Sequence, residues 1–68
     1  MDAPIKSLNW YTSTYHPVEN MLTLVYTDYE DEEDKYVVAK FNGDVFVSVD
    51  QQCNKIPMKD VLYWAYLV

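Results

Sequence analysis

The chain has 68 residues, half of them apolar and 16% aromatic, which fits one small globular domain spanning residues 1–68 and not a disordered segment. Eleven acidic residues stand against five Lys and no Arg, a formal net charge of −6; phosphate contacts need clustered Lys or Arg, so direct nucleic-acid binding and anionic membrane surfaces are disfavoured and a basic protein surface is the expected partner. No apolar run approaches the ~20 residues of a membrane span, the opening Met-Asp-Ala-Pro-Ile-Lys has no basic-then-apolar leader pattern, and the lone Cys53 permits no intrachain disulfide, so the expected compartment is a reducing cytoplasm.

In chain order, Ser7 to Thr14 is a candidate first strand, ending before His16-Pro17 because proline interrupts a ladder. Met21 to Thr27 reads as the next strand, with Leu22, Leu24 and Tyr26 sharing one face. Residues 28–34 then link Tyr26 to Tyr36 as the loop of a hairpin. Lys35 to Phe41 and Asp44 to Val49 are rich in β-branched and aromatic residues, and between them Asn42-Gly43 predicts a two-residue type I′ turn. That turn pairs Phe41 with Asp44, Lys40 with Val45, Ala39 with Phe46 and Val38 with Val47. One hairpin face then carries Tyr36, Val38, Val45, Val47 and Val49 with Lys40 at its rim. The other carries Val37, Ala39, Phe41 and Phe46 with Asp44 and Ser48. Residues 50–57 read as a loop.

The last segment, Val61 to Val68, is apolar except for its tyrosines, and periodicity alone does not separate a buried strand from a short helix. Val, Tyr and Trp enrichment favours a strand; Pro57 as a first helical residue and Asp60 in a first turn favour a helix near residues 57–66. The expected fold is therefore mainly β, a single small antiparallel meander of about four to five strands with one short helix near 57–66 as the alternative. Trp10 and Trp64 are candidate core residues. The 61–68 segment is a candidate homodimer interface if one copy cannot cover both its faces.

Six of the seven residues from Asp28 to Asp34 are acidic: Asp28, Glu30, Asp31, Glu32, Glu33 and Asp34, interrupted only by Tyr29. Elsewhere Asp2, Glu19, Asp44, Asp50 and Asp60 balance Lys6, Lys35, Lys40, Lys55 and Lys59, so the net charge resides in this run. An extended chain rises ~3.3 Å per residue, which spaces its charges roughly like the ~3.4 Å phosphate repeat of one nucleic-acid strand. A basic groove on another protein is therefore the expected reader of Asp28–Asp34, with Tyr29 as the contact aromatic. The bland alternative is a solvated loop that keeps a small β protein soluble. An EF-hand fails here: counted from Asp28, its glycine position holds Glu33 and its closing glutamate position holds Ala39. Cys53 and His16 are the only thiol and imidazole, and nothing in the sequence brings them together with an orienting third group, so no catalytic dyad is expected. Two such residues fall short of a zinc site. No catalytic, cofactor or metal residues are expected, and the chain reads as a non-enzyme.

The order of features also resembles the family of short phage and prophage domains called domain of unknown function 551. Trp10, Pro17, Leu22-Thr23-Leu24-Val25-Tyr26, Val38-Ala39-Lys40-Phe41 before Gly43, and the closing Val61-Leu62-Tyr63-Trp64-Ala65-Tyr66-Leu67 follow that family's order across almost the whole chain. Tyr63 stands where the family usually has His, and Val68 where it ends in Pro. The resemblance implies a small β-rich fold, a strand at the C-terminal segment and a phage or prophage origin, and it implies no activity. The function expected from these readings is a small acidic interaction protein, phage-encoded, that binds and inhibits a host protein, such as a nucleic-acid-handling or defence enzyme, through its acidic loop. A structural or self-associating accessory domain is the alternative.

Overall fold

The structure is a computed structural model, and it describes residues 8–31, 35–50 and 52–67. Six strands form one antiparallel sheet: β1 (Tyr11–Thr12), β2 (Leu22–Thr27), β3 (Tyr36–Phe41), β4 (Val45–Ser48), β5 (Lys55–Pro57) and β6 (Val61–Tyr66), in the spatial order β1-β6-β2-β3-β4-β5. The strands β2 to β5 follow one another as a meander. The sixth does not continue it at the β5 edge but returns to the far side of β2, pairing Val25 with Trp64 and Tyr26 with Tyr63. The fold is mainly β, as the sequence predicts, with one strand more than the upper count.

The C-terminal segment is a strand, and the helix signal before it has a local outlet. Pro57 precedes a 3-10 turn over Met58–Asp60, and the chain returns to extended backbone at Val61. Pro57 sits there with φ −68° and ψ 150°, values that its ring allows and a helix does not. From Val61 onward, Val, Tyr and Trp side chains alternate across the sheet, and a bulge between Tyr26 and Thr27 absorbs the change of register.

Three sequence expectations are corrected. Residues 50–57 are not all loop: Lys55–Pro57 pair with β4 as the edge strand β5, which places Ile56 beside Phe46 in the core. The first strand is not Ser7–Thr14 but only Tyr11–Thr12: the amide of Tyr15 donates to the Thr12 carbonyl and turns the chain out of the sheet. Ser7 lies outside the described residues. The β3–β4 connection is not a two-residue type I′ turn either. Phe41 pairs with Phe46, Lys40 with Val47 and Ala39 with Ser48, so four residues form the loop. A type I′ turn needs positive φ at both central residues. Gly43 has it, at 98°, but Asn42 does not. Asn42 instead turns its side-chain oxygen inward to accept the amides of Asp44 and Val45, both at 2.9 Å, an arrangement asparagine favours over a backbone turn. The register differs from expectation by two residues. Because side chains alternate with period two, the composition of each face is unchanged.

The main core cluster lies on one face, and on the other only Ala65 is fully buried among the described apolar residues. Val25, Ala39, Phe41, Phe46, Ile56, Val61 and Trp64 are buried in that cluster, with Tyr29, Val37, Met58 and Tyr66 packed at the margins. No second sheet covers them; the chain between β1 and β2 does. Tyr11 stacks on Trp64 with ring centres 4.7 Å apart, the Trp64 indole donates to the Tyr15 carbonyl at 2.8 Å, His16 lies on Phe41, and the Val18 amide donates to the Tyr66 hydroxyl. Trp64 is thus core as expected. Trp10 is half-buried and meets Tyr63 edge-on at the opposite face.

Candidate interaction surface

The acidic run connects the two central strands, since Tyr26 pairs with Tyr36. Asp28, Glu30 and Asp31 are exposed, and Glu32, Glu33 and Asp34 lie outside the described residues. Tyr29 is not the outward contact residue expected of it. It is half-buried against the core, and its hydroxyl donates to Asp60 Oδ2 at 2.8 Å. The neighbouring Asp28 amide donates to the Asp60 carbonyl. Together these two bonds pin the start of the loop to the 3-10 turn. The reason is burial: a tyrosine beside an incomplete core gains more by packing against it than by standing in water. The aromatic that does stand out at this end is Tyr36, which is 41% exposed and packs on Tyr26.

Cys53 and His16 sit in unrelated settings. The Cys53 thiol is exposed and points to the Asp50 carbonyl at 3.5 Å, whereas the His16 ring lies on Phe41. Asp50 organises the β4–β5 loop. Its Oδ1 accepts from the Ser48 hydroxyl at 2.8 Å and from the amides of Gln52 and Cys53. The Ser48 hydrogen bond, helped by the two amides and opposed by some desolvation, holds the Asp50 carboxyl below the usual carboxylate range. A cleft of about 680 Å³ opens between this loop and the start of β3, where β4 ends before its neighbour does; Tyr29, Tyr36, Asp50, Asn54 and Lys55 are among its walls. Among the described residues, no group of three or more His, Cys, Asp or Glu side chains converges as a metal site.

The second face of the sheet was not singled out by the sequence. It is built in rows that cross the strands. Tyr63, Tyr26 and Tyr36 form one row; Ala65, Leu24 and Val38 form the next; Leu22, Lys40, Val47 and Lys55 form the third. Leu22, Tyr36 and Val38 are each about two-fifths exposed. In β2 the usual order is reversed: Thr23 and Thr27 are buried on the core face, while Leu22, Leu24 and Tyr26 point to the open one. The threonines are accommodated by hydrogen bonds, Thr23 Oγ1 donating to the Ala39 carbonyl at 2.7 Å and Thr27 Oγ1 accepting from the Tyr29 amide. The signal was present in the alternation Leu-Thr-Leu-Val-Tyr-Thr, but alternation does not say which side faces inward.

Fold and surface together define a small single-layer β protein with an acidic loop at one end and an apolar face that the described residues leave largely open. No protein-family model matches the chain, and no curated protein or solved structure matches it either. No helix among the described residues is long and apolar enough to cross a membrane.

Proposed function

We propose that this chain is a non-enzymatic interaction protein that binds a basic surface of another protein through residues Asp28–Asp34. The observation that supports this most directly is the exposure of Asp28, Glu30 and Asp31 on the connection between the two central strands, held at its base by the Tyr29–Asp60 bond. A charged loop on a fixed base keeps its field in one place, and such a field accelerates encounter with an opposite charge. Tyr36 replaces Tyr29 as the contact aromatic of this reading. The partner class is a host protein with a basic groove, such as a nucleic-acid-handling or defence enzyme that the loop inhibits in the host cytoplasm. The phage origin rests on the order of motifs that resembles domain of unknown function 551.

Exposed charge pairs are worth only ~0.2–1 kcal/mol each, so several must act together. The test begins with capture of partners from a host lysate and their identification by mass spectrometry. Binding kinetics then compare wild type with a variant carrying Glu30→Gln, Asp31→Asn, Glu32→Gln and Glu33→Gln. The expected result is at least a tenfold loss of affinity, about 1.4 kcal/mol, mostly in the association rate and shrinking as salt rises. A variant that binds as tightly and as fast as wild type reduces the loop to a solvated turn. The second reading, a self-associating accessory domain, is favoured by a different observation, the open sheet face.

A further inference from the structure

We propose that the open sheet face is an interface between two copies of this chain, related by a two-fold axis that runs across the strands along the Leu24–Val38 row, at whose end Ala65 is already buried within one copy. This inference does not depend on the acidic-loop reading, although the two surfaces adjoin and share Tyr36 and Asp28.

The first argument is what the sequence spends on each face. A strand buried on one side only should hide its most apolar residues. Here β2 buries two threonines, Thr23 and Thr27, beside Val25, while on the other side Leu22 is exposed and Leu24 and Tyr26 are only half-buried. A shift of one residue would have reversed this and buried the leucines. The threonine face is nevertheless the one closed by the chain's own loops. The leucine face makes physical sense once a second layer covers it, because stable domains bury a sheet's apolar face against something.

The second argument is size. Four strands at ~4.8 Å and six residues at ~3.3 Å give a footprint of roughly 20 by 20 Å, on the order of 400 Å² per copy. Side chains protruding from a pleated face raise the accessible area above that footprint. Two copies therefore bury on the order of 1,000 Å² in total, the lower bound of a specific interface. That size corresponds to a weak, reversible dimer and not to an obligate one.

The third argument is charge, and it selects the axis. Among the described residues, the charged strand positions on this face are Lys40 and Lys55, both in its third row. The acidic loop lies beyond the opposite, tyrosine row, because it joins Tyr26 to Tyr36. A two-fold axis along the strands would set lysine row on lysine row. An axis across them reverses the strand direction of the partner copy. Leu24 and Val38 then meet their own equivalents, and Lys40 meets the Tyr26–Tyr36 row of the other copy beside its Asp28. That pairing gives each ammonium an aromatic face and a nearby carboxylate. Sandwiches of two sheets tolerate such aligned stacking at about 30°. The net charge of −6 per copy opposes association, but no strand residue on the face is acidic, and beyond about 8 Å the repulsion is screened at physiological salt.

Edge-to-edge pairing is the weaker route to a dimer. The β5 edge carries Lys55 and Pro57, and the β1 edge is two residues long; both are ways in which a sheet avoids edge contacts.

The experiment is sedimentation equilibrium of the full chain from low micromolar to near-millimolar concentration, for wild type, Val38→Glu, Val38→Thr and Lys40→Glu. Wild type should show a monomer–dimer equilibrium with a micromolar dissociation constant. Val38→Glu should weaken it more than a hundredfold, because two carboxylates would be buried face to face at the axis. Lys40→Glu should weaken it about tenfold. Val38→Thr keeps β-branching and an exposed position, so it tests the interface without endangering the fold, and it should weaken the dimer several-fold; circular dichroism checks that each variant is folded. A wild-type chain that stays monomeric throughout, a dimer indifferent to both Val38 substitutions, or one that Lys40→Glu leaves unchanged or tightens overturns the proposal.

Discussion

The two faces of this sheet are built from similar side chains and treated in opposite ways. On one, Trp64, Phe46 and Val25 are almost wholly removed from water, and even Thr23 and Thr27 are buried. On the other, Leu22, Val38 and Tyr36 keep about two-fifths of their surface in water. Residue type does not explain the difference, since valine and tyrosine occur on both. What distinguishes the faces is the path of the connections. Residues 13–20 cross the first face between β1 and β2, and the 3-10 turn and Tyr29 close its other end. The second face receives only Trp10 at the margin, against Tyr63, among the described residues. In a chain this short, loops substitute for the second layer that larger β proteins build from strands, and among the described residues they close one face.

Four measurements break or sharpen this contrast. The largest effect belongs to the closed face. Trp64→Ala removes a side chain that touches Tyr11, Tyr66 and Phe46 and donates to the Tyr15 carbonyl. It should cost about 3–5 kcal/mol, enough to unfold a small domain, and a urea titration will measure it. A loss below about 1 kcal/mol would mean that the loop 13–20 does not hold this face closed. Next is Gly43→Val at the hairpin tip, where strain and not burial decides. Gly43 has φ 98°, and an added Cβ would lie 3.3 Å from the Glu19 carboxyl group. The expected loss is on the order of 1–3 kcal/mol, read from the thermal midpoint. A neutral result would show that the tip relaxes freely and does not set the register of the hairpin.

A smaller effect concerns Asp50, whose bonds hold the β4–β5 loop at the edge of the sheet. Its carboxyl is stabilised as the anion by Ser48 first and then by the amides of Gln52 and Cys53. A depressed native pKa adds stability above the ordinary Asp value, about 3.9, and loses it as pH falls through the lower native value. Melting temperature should therefore decline as pH drops below about 4, and Asp50→Ala should flatten that part of the profile relative to wild type. Asp50 is exposed, so solvent screening keeps the change modest. The smallest expected effect is on the open face. Leu22→Thr should change the stability of the monomer, measured at low concentration, by within about 0.5 kcal/mol. A loss near that of a buried leucine, about 2–5 kcal/mol, would show that the face is already covered within one copy.

Much of the fold was legible in the sequence because it is local. The alternation of β-branched and aromatic residues located β2, β3 and β4 to within a residue or two at each end, and the hairpin through Asn42-Gly43 needs only a short loop and a residue tolerant of positive φ; for β6, Val, Tyr and Trp enrichment favoured a strand without excluding a short helix. The acidic run was legible as the connection between Tyr26 and Tyr36 for the same reason. Period-two alternation also sorted the hairpin residues correctly into two faces, even though the turn is two residues longer than expected, because a shift of two leaves each face intact. The sequence alone did not decide where β6 inserts, which depends on contacts some forty residues apart between Val25 and Trp64. Nor did it decide the fate of Tyr29, whose inward turn depends on a core assembled from distant strands and on Asp60 arriving beside it. Above all it did not say which face is inside. Alternation is symmetric between the two sides of a sheet, and only the route of the loops across one of them removes that symmetry.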